Sequence, residues 1–352
     1  MGCDRPPFFL VRLMSKAKFG FAPLSLRYSA YMIDITLIAS LTSIFNIAKK
    51  ENLVLFEAAF LFFVDPSSAF SSLTTSKGLE TISLFSLLAF AYFVSEAITG
   101  VGLGKILIRA RIAEVRSQKT EMLGVFGKSK YVLMRGLIKA IPPLNILDFK
   151  SFIKAKRHRF SDRRPHWVVI LTKKRSAWSS IVVASALFLM PLIAGVGYFS
   201  CQGSSAYLPQ VNRASDSTGD DPFAAILSNN LMLAAKYSAG GLLLLSSTIV
   251  QVFSVNFLAS LFIGVSLIGS DSGLLLRFIP FFVFEYFGYI LGVAGGVEIC
   301  EFMFTWIDAY RNGEPLTYIV ENAKTRAETI LILLFVSAVA LAIGAYLETL
   351  VL

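Results

Sequence analysis

The sequence predicts an all-α fold, a polytopic bundle of membrane-spanning helices with a basic loop that carries an amphipathic helix. Three observations point there. Hydrophobic residues make up 55% of the 352 and charged residues only 16%, a more apolar balance than soluble domains carry. Several apolar stretches reach the roughly 20 residues that a helix needs to cross hydrocarbon. The charges are gathered into a few segments instead of being spread along the chain.

Taken in order, residues 1–19 read as a cytoplasmic tail. The apolar run Phe8 to Leu13 is short and broken by Arg12, unlike a signal peptide. Gly2 could invite myristoylation, but Pro6 stands where that motif wants Ser or Thr, and Met14 is an alternative start. Tyr28 to Ile47 is the first span, although it contains Asp34. Leu53 to Val64 is too short to cross and is expected at the interface or packed on the bundle. Leu79 to Thr99 is the second span, with Glu80 and Glu96 near its ends. Trp178 to Phe199 has no charge at all. Leu231 to Ile268 is too long for one ordinary crossing and is expected to turn near Gln251 to Asn256. Leu274 to Ile299 and Thr329 to Leu352 complete about seven spans, with six or eight as the alternatives.

Charge sets the orientation, because cytoplasmic loops are enriched in Lys and Arg. Residues 100–176 hold nineteen Lys or Arg against Glu114, Glu121, Asp148 and Asp162, a net of +15. The loop 202–222 holds Arg213 against three aspartates, a net of −2. The basic segment is therefore expected inside and the acidic loop outside, in a multi-pass protein of the cell membrane with a cytoplasmic N-terminus. In "YVLMRGLIKAIPP", Arg135 and Lys139 lie one turn apart among apolar residues, and Pro142-Pro143 ends the helix. That pattern suits a surface-lying segment drawn to anionic lipid headgroups. A plain orientation signal is the alternative. No nucleic-acid-binding module is recognisable.

Ionisable residues inside spans face a bundle interior and find partners there. Arg27 and Asp34 are nearly two turns apart on one helix face, and Glu96 returns at a similar depth on the second span. Asp34 is expected either to pair with Arg27, Arg135 or another base and lock the helices, or to carry a proton or cation. "RYSAYMID" resembles the opening of the RDD family, and "YFVSEAITGVGLGKILIRARI" resembles that family's Glu-x-x-x-Gly and Gly-Lys junction, with Gly100, Gly104 and Lys105 at the matching positions. Gly102 and Leu103 stand where the family often has Thr-Pro. Arg135, Asp148 and Asp162 resemble its later charged positions. The resemblance covers residues 20–172 and implies a membrane module, some relatives of which are connected with cation–proton exchange. "GVGLGK" is no phosphate loop, because Ile106 stands where Ser or Thr would hold Mg²⁺.

In "FIPFFVFEYFGYILGVAGGVEI", Glu285 falls inside a span and is followed by Gly288, Gly292 and Gly296. Small residues at intervals of four let a neighbouring helix approach closely. Glu285 lies near that face, so it is expected as a buried anchor or as a proton- or cation-linked site. Together with "ILSNNLMLAAKYSAGG", "VNFLAS" and "AIGAYLETLVL", this stretch resembles the stage II sporulation protein M family over residues 176–352, in a membrane domain set at 173–352. Asn229, Asn230, Asn256, Pro280, Glu285 and Glu348 stand at positions like its polar marks. Phe281 and Phe282 replace the His-Gly that commonly follows the proline. The resemblance implies a membrane anchor for partner proteins. For the asparagines, helix capping and turn formation are the plainer reading.

Three dispersed cysteines and two histidines argue against a disulfide framework or a metal centre, and no cofactor is expected. The reading that follows is a non-enzymatic scaffold or assembly partner of a membrane complex. The alternative is a secondary transporter exchanging cations for protons through Asp34, Glu96 or Glu285.

Overall fold

The computed structural model describes residues 24–48, 66–99, 102–108, 110–116, 119–122, 129–140, 167–171, 179–202, 222–243, 272–312 and 316–351, with 248–252, 255–256, 259–260 and 263. Among the described residues, five helices are long and apolar enough to cross a membrane. Their apolar windows are Arg27–Phe45, Ser76–Thr99, Ser179–Gly197, Phe278–Ile307 and Ala323–Thr349. The chain divides into two compact units. One comprises Met1–Ile38 and Ser83–Ser179; the other comprises Ala39–Ile82 and Ser180–Leu352.

Helices α1 (Leu24–Ala48), α2 (Pro66–Thr74), α3 (Ser76–Thr99) and the short α4 (Leu103–Leu107) come first in the chain; the first unit takes α1 up to Ile38, α3 from Ser83 and all of α4, while α2 and the rest of α1 and α3 belong to the second. Ile38, Ala89, Phe93 and Ala140 form the first unit's buried core, with Tyr31 stacked on Phe93 at 5.8 Å between ring centroids. Some hydroxyls inside the spans are satisfied locally. Thr36, for example, donates to the Met32 carbonyl at 2.8 Å, the usual refuge for a threonine within a helix.

The basic segment departs from an all-α reading. It holds a three-stranded antiparallel sheet in the order β2-β1-β3, with β1 Ala110–Arg116, β2 Lys119–Met122 and β3 Trp167–Leu171. The hairpin pairs Arg116 with Lys119, and β3 pairs Trp167 with Glu114 on the other edge. The amphipathic helix is present as α5 (Ser129–Ala140), with its last lysine turned inward. Lys139 is 3% exposed, whereas Leu133 and Leu137 are 48% and 41% exposed. Gly136 packs so closely on α3 that a Cβ there would meet Val94 at 2.6 Å. The lysine turns inward and the leucines outward.

The second unit contains α6 (Ser179–Gln202), α7 (Pro222–Ala239), α8 (Ser272–Asn312) and α9 (Leu316–Thr349). Helix α8 runs past the expected end at Ile299, because Glu301 beyond it is buried and paired. The stretch Leu231 to Ile268 breaks earlier than Gln251. Helix α7 ends in a 3-10 turn at Gly240–Leu243, where Gly241 lies against the Gly296 carbonyl, and helix resumes at residues 248–252.

Cross-helix contacts give the directions. Asn230 meets Glu285, and Ser238 meets Gly292, so α7 runs parallel to α8. Asn256 donates to the Phe188 carbonyl and Ser260 to the Leu192 carbonyl, so this segment runs parallel to α6. Ser180 meets Glu298 while Phe188 meets Tyr289, so α6 runs antiparallel to α8. The chain therefore reverses between α7 and residue 256.

The glycine face of α8 meets two neighbours, not one. A Cβ on Gly288 would strike Leu341 of α9, whereas one on Gly292 would meet Ala234 of α7 at 3.1–3.2 Å and one on Gly296 the Tyr237 carbonyl at 2.6 Å. Steps of four residues drift by about 40° around a helix of 3.6 residues per turn, so the stripe winds from one partner to the next. Serines fasten both contacts. Ser337 donates to the Gly288 carbonyl and Ser238 to the Gly292 carbonyl, each at 2.7 Å. Close backbone approach with hydroxyls bridging it is how helices associate where lipid supplies no hydrophobic drive.

Candidate functional site

Three clusters of ionisable side chains lie inside the two units. The first unit holds Asp34, Glu96, Lys105 and Lys139, all 5% exposed or less. Asp34 does not act as a simple ion-pair partner. Its Oδ1 accepts the Tyr92 hydroxyl at 2.5 Å and the Gly104 N–H at 2.8 Å. The Tyr92 oxygen in turn accepts the Leu103 N–H at 2.6 Å. Helix α4 has Gly102 at its N-cap and no side-chain cap of its own. Asp34 and Tyr92 therefore supply from a distance what a local Ser or Asp supplies elsewhere.

Glu96 receives two cations. Lys139 reaches its Oε2 at 3.0 Å and Lys105 pairs with its Oε1. Lys139 also lies 4.8 Å from the Phe93 ring centroid. A Cβ on Gly102 would meet Tyr92 Oη at 3.0 Å, Glu96 Cγ at 3.1 Å and Asp34 Oδ2 at 3.3 Å, which places both acids around one bare backbone position. Among the described residues the two carboxylates are matched by two ammonium groups. Gly104 lies directly against the Ala30 carbonyl, so the Gly-Lys pair seats the turn on α1 and delivers Lys105 to Glu96.

In the second unit, Glu285 Oε1 accepts from Asn230 Nδ2 at 2.5 Å, and the Tyr289 hydroxyl donates to Asn230 Oδ1 at 2.6 Å. Tyr289 thereby sets the amide so that its NH₂ faces Glu285. Gly344 of α9 lies under the Glu285 side chain, and Glu348, one turn further, is within hydrogen-bonding reach of Glu285. Glu285 is not central in its helix. It lies seven residues into the apolar window Phe278–Ile307, or about 10 Å at 1.5 Å per residue.

The third cluster carries residues that the sequence reading passed over. Arg326 of α9 bonds Glu298 at 2.7 Å and Glu301 at 3.0 Å, and the Ser180 hydroxyl donates to Glu298. Two acids three residues apart at the end of an apolar run, with a returning arginine, were the available signal.

Of the other expected positions, Asn230 and Asn256 are buried while Asn229 is exposed. Asn256 bonds a mid-helix carbonyl across an interface instead of capping a span. Arg27 is partly buried on α1. The Arg135 side chain, Asp148, Asp162 and the segment Leu53 to Val64 lie outside the described residues. Among the described residues no three His, Cys, Asp or Glu side chains gather as a metal site. No family model, no curated protein and no solved structure matches the chain.

Proposed function

We propose that the chain is a non-enzymatic membrane scaffold, an RDD-like module joined to a sporulation-protein-M-like bundle, that holds a basic cytoplasmic platform against the bilayer as an assembly partner of a membrane complex. One observation carries this reading. The acids of the first unit are matched in charge and spent on fixing a turn and a helix, as a rigid anchor requires. The platform includes the three-stranded sheet and the strongly basic segment around it, and the outward Leu133 and Leu137 suit hydrocarbon just beneath anionic headgroups.

The reversal between α7 and residue 256 supports two crossings there, hence seven in all, with the C-terminus outside. In-cell crosslinking followed by purification of the full chain tests the scaffold reading. The expected result is a stoichiometric membrane partner whose recovery falls when the lysines and arginines of residues 150–164 are neutralised. A proton or cation flux in vesicles of the pure protein, abolished by Asp34→Asn in a protein that still folds, would overturn it.

A further inference from the structure

Helix α7 turns outward a face that does not suit lipid. Ser228, Asn229, Met232, Ala235 and Lys236 are exposed on it, at helical steps of three and four. The outward face of α9 is built differently, from Leu331, Phe335 and Val339, which are 66%, 70% and 45% exposed. Hydrocarbon solvates such side chains well. Ser228 satisfies its hydroxyl on the Ala225 carbonyl of its own helix. Asn229 and Lys236 have no such refuge. Among the described residues neither side chain has a hydrogen-bond or ion-pair partner.

Both lie at the level of apolar helix. Asn229 is next to Asn230, which bonds Glu285 of α8. Lys236 lies between Ala234, which packs on Gly292, and Tyr237, whose carbonyl packs on Gly296. All three α8 positions fall inside the window Phe278–Ile307, and Gly295 faces Leu334 inside the α9 window Ala323–Thr349. Asn229 is seven residues from Pro222, the first of α7, or about 10 Å along the axis. Its short amide does not reach a membrane surface. Lys236 is seven residues further and points within about 20° of the same direction. It sits inside the level of Glu298, which Arg326 holds. Helical side chains lean toward their own N-terminus, and α7 runs parallel to α8. Lys236 therefore leans away from Glu298, further into the apolar stretch. Charged side chains at such depth pair with one another, and amides there hydrogen-bond across helices.

We propose that the outward face of α7 docks a transmembrane helix of another membrane protein, which sets a carboxylate against Lys236 and a hydrogen-bonding side chain against Asn229. Charge selects this occupant. A second copy of the chain, facing the first across a two-fold axis along the membrane normal, would set Lys236 against Lys236 at one depth. Like charges repel strongly where the dielectric is low. Acyl chains offer neither an anion nor a hydrogen bond. Ala235, beside Lys236, lets a partner backbone come close. The proposal rests on the scaffold reading and deepens it, by naming the surface that holds the partner within the membrane.

The test places a photoreactive benzoylphenylalanine at Met232, between Asn229 and Lys236, in the full chain in its own membrane. The same group at Phe335 of α9 is the lipid-facing control. Irradiation should give a discrete protein adduct from position 232 and none from position 335. Mass spectrometry should identify in that adduct a protein with an aspartate or glutamate inside a membrane-spanning segment. Lys236→Glu should abolish the adduct, Lys236→Arg should keep it, and changing the partner's acid to lysine should restore it in Lys236→Glu. Both variants should melt like the parent in detergent, because the side chain is exposed. Adducts with lipid alone, an adduct with a second copy, or one that survives Lys236→Glu would overturn the proposal. So would reaction of Lys236→Cys, in a background without the native cysteines, with a membrane-impermeant thiol reagent, since water would then cover the face. If the partner that depends on residues 150–164 is still recovered in those cases, the scaffold reading stands and only this surface falls. If neither experiment recovers a partner, both fall.

Discussion

Asp34 offsets the cost of its carboxylate by serving a backbone. It receives an N–H from a five-residue helix that has no other cap and a phenol that receives the next N–H. Asp34→Asn removes the acceptor that holds the Tyr92 hydroxyl and the Gly104 N–H. It should destabilise the protein by about 1–3 kcal/mol, the usual cost of leaving buried polar groups poorly matched. Thermal unfolding in detergent measures it, and a melting curve identical to the parent's would refute the capping role. Arg326 makes a parallel case. Arg326→Met leaves Glu298 and Glu301 facing each other without their cation. Losing one partner of a buried pair costs about 3–5 kcal/mol, and the arginine's 23% exposure argues for the lower end. Denaturant unfolding of that variant, with Glu298→Gln added to relieve the repulsion, should show partial recovery.

At the scale of helices, α8 is held by bare backbone. Gly292→Leu would drive a branched side chain into Ala234 of α7 and separate the helices that Ser238 bridges. Gly197 of α6 has nothing within 4 Å of where a Cβ would lie, so Gly197→Leu serves as the control. The first substitution should lower the melting temperature sharply and the second should leave it nearly unchanged; equal effects would remove the close-packing argument. The spacing of Gly288, Gly292 and Gly296 made this face legible from sequence, because a period of four is a local property. Which helix each glycine meets was not legible, since that depends on how the stripe winds between two partners. Asp34 was legible as an intramembrane acid for the same local reason. Its partners lie 58 and 70 residues away, and nothing in a single sequence pairs them. The strands were hidden in plain charge. The run Trp167-Val168-Val169-Ile170-Leu171 is rich in strand-forming residues, but the +15 balance of the whole segment drew the reading toward a loop. Lys139 turned inward because a buried acid, Glu96, outweighed the pull of water on one ammonium group.

For the molecule as a whole, composition sufficed to read a helical membrane protein, and five helices reach spanning length. The number of crossings rests on direction. Helix α7 is parallel to α8, and the segment holding Asn256 and Ser260 is parallel to α6. A chain cannot enter α8 in the same sense as α7 without first returning across the bundle. On this ground we propose seven crossings, with the C-terminus on the side opposite the basic segment. Single-cysteine labelling of intact cells, in a background without Cys3, Cys201 and Cys300, separates the possibilities. With the basic segment inside, a membrane-impermeant thiol reagent should modify a probe at Ser217 and spare one at Ser161. A probe at Leu352 then reads the crossing number: it should label like Ser217 for seven crossings and be spared like Ser161 for six. Labelling at Ser161 with protection at Ser217 would invert the orientation, and a protected Leu352 beside a labelled Ser217 would mean that the return through residues 248–263 does not reach the far side.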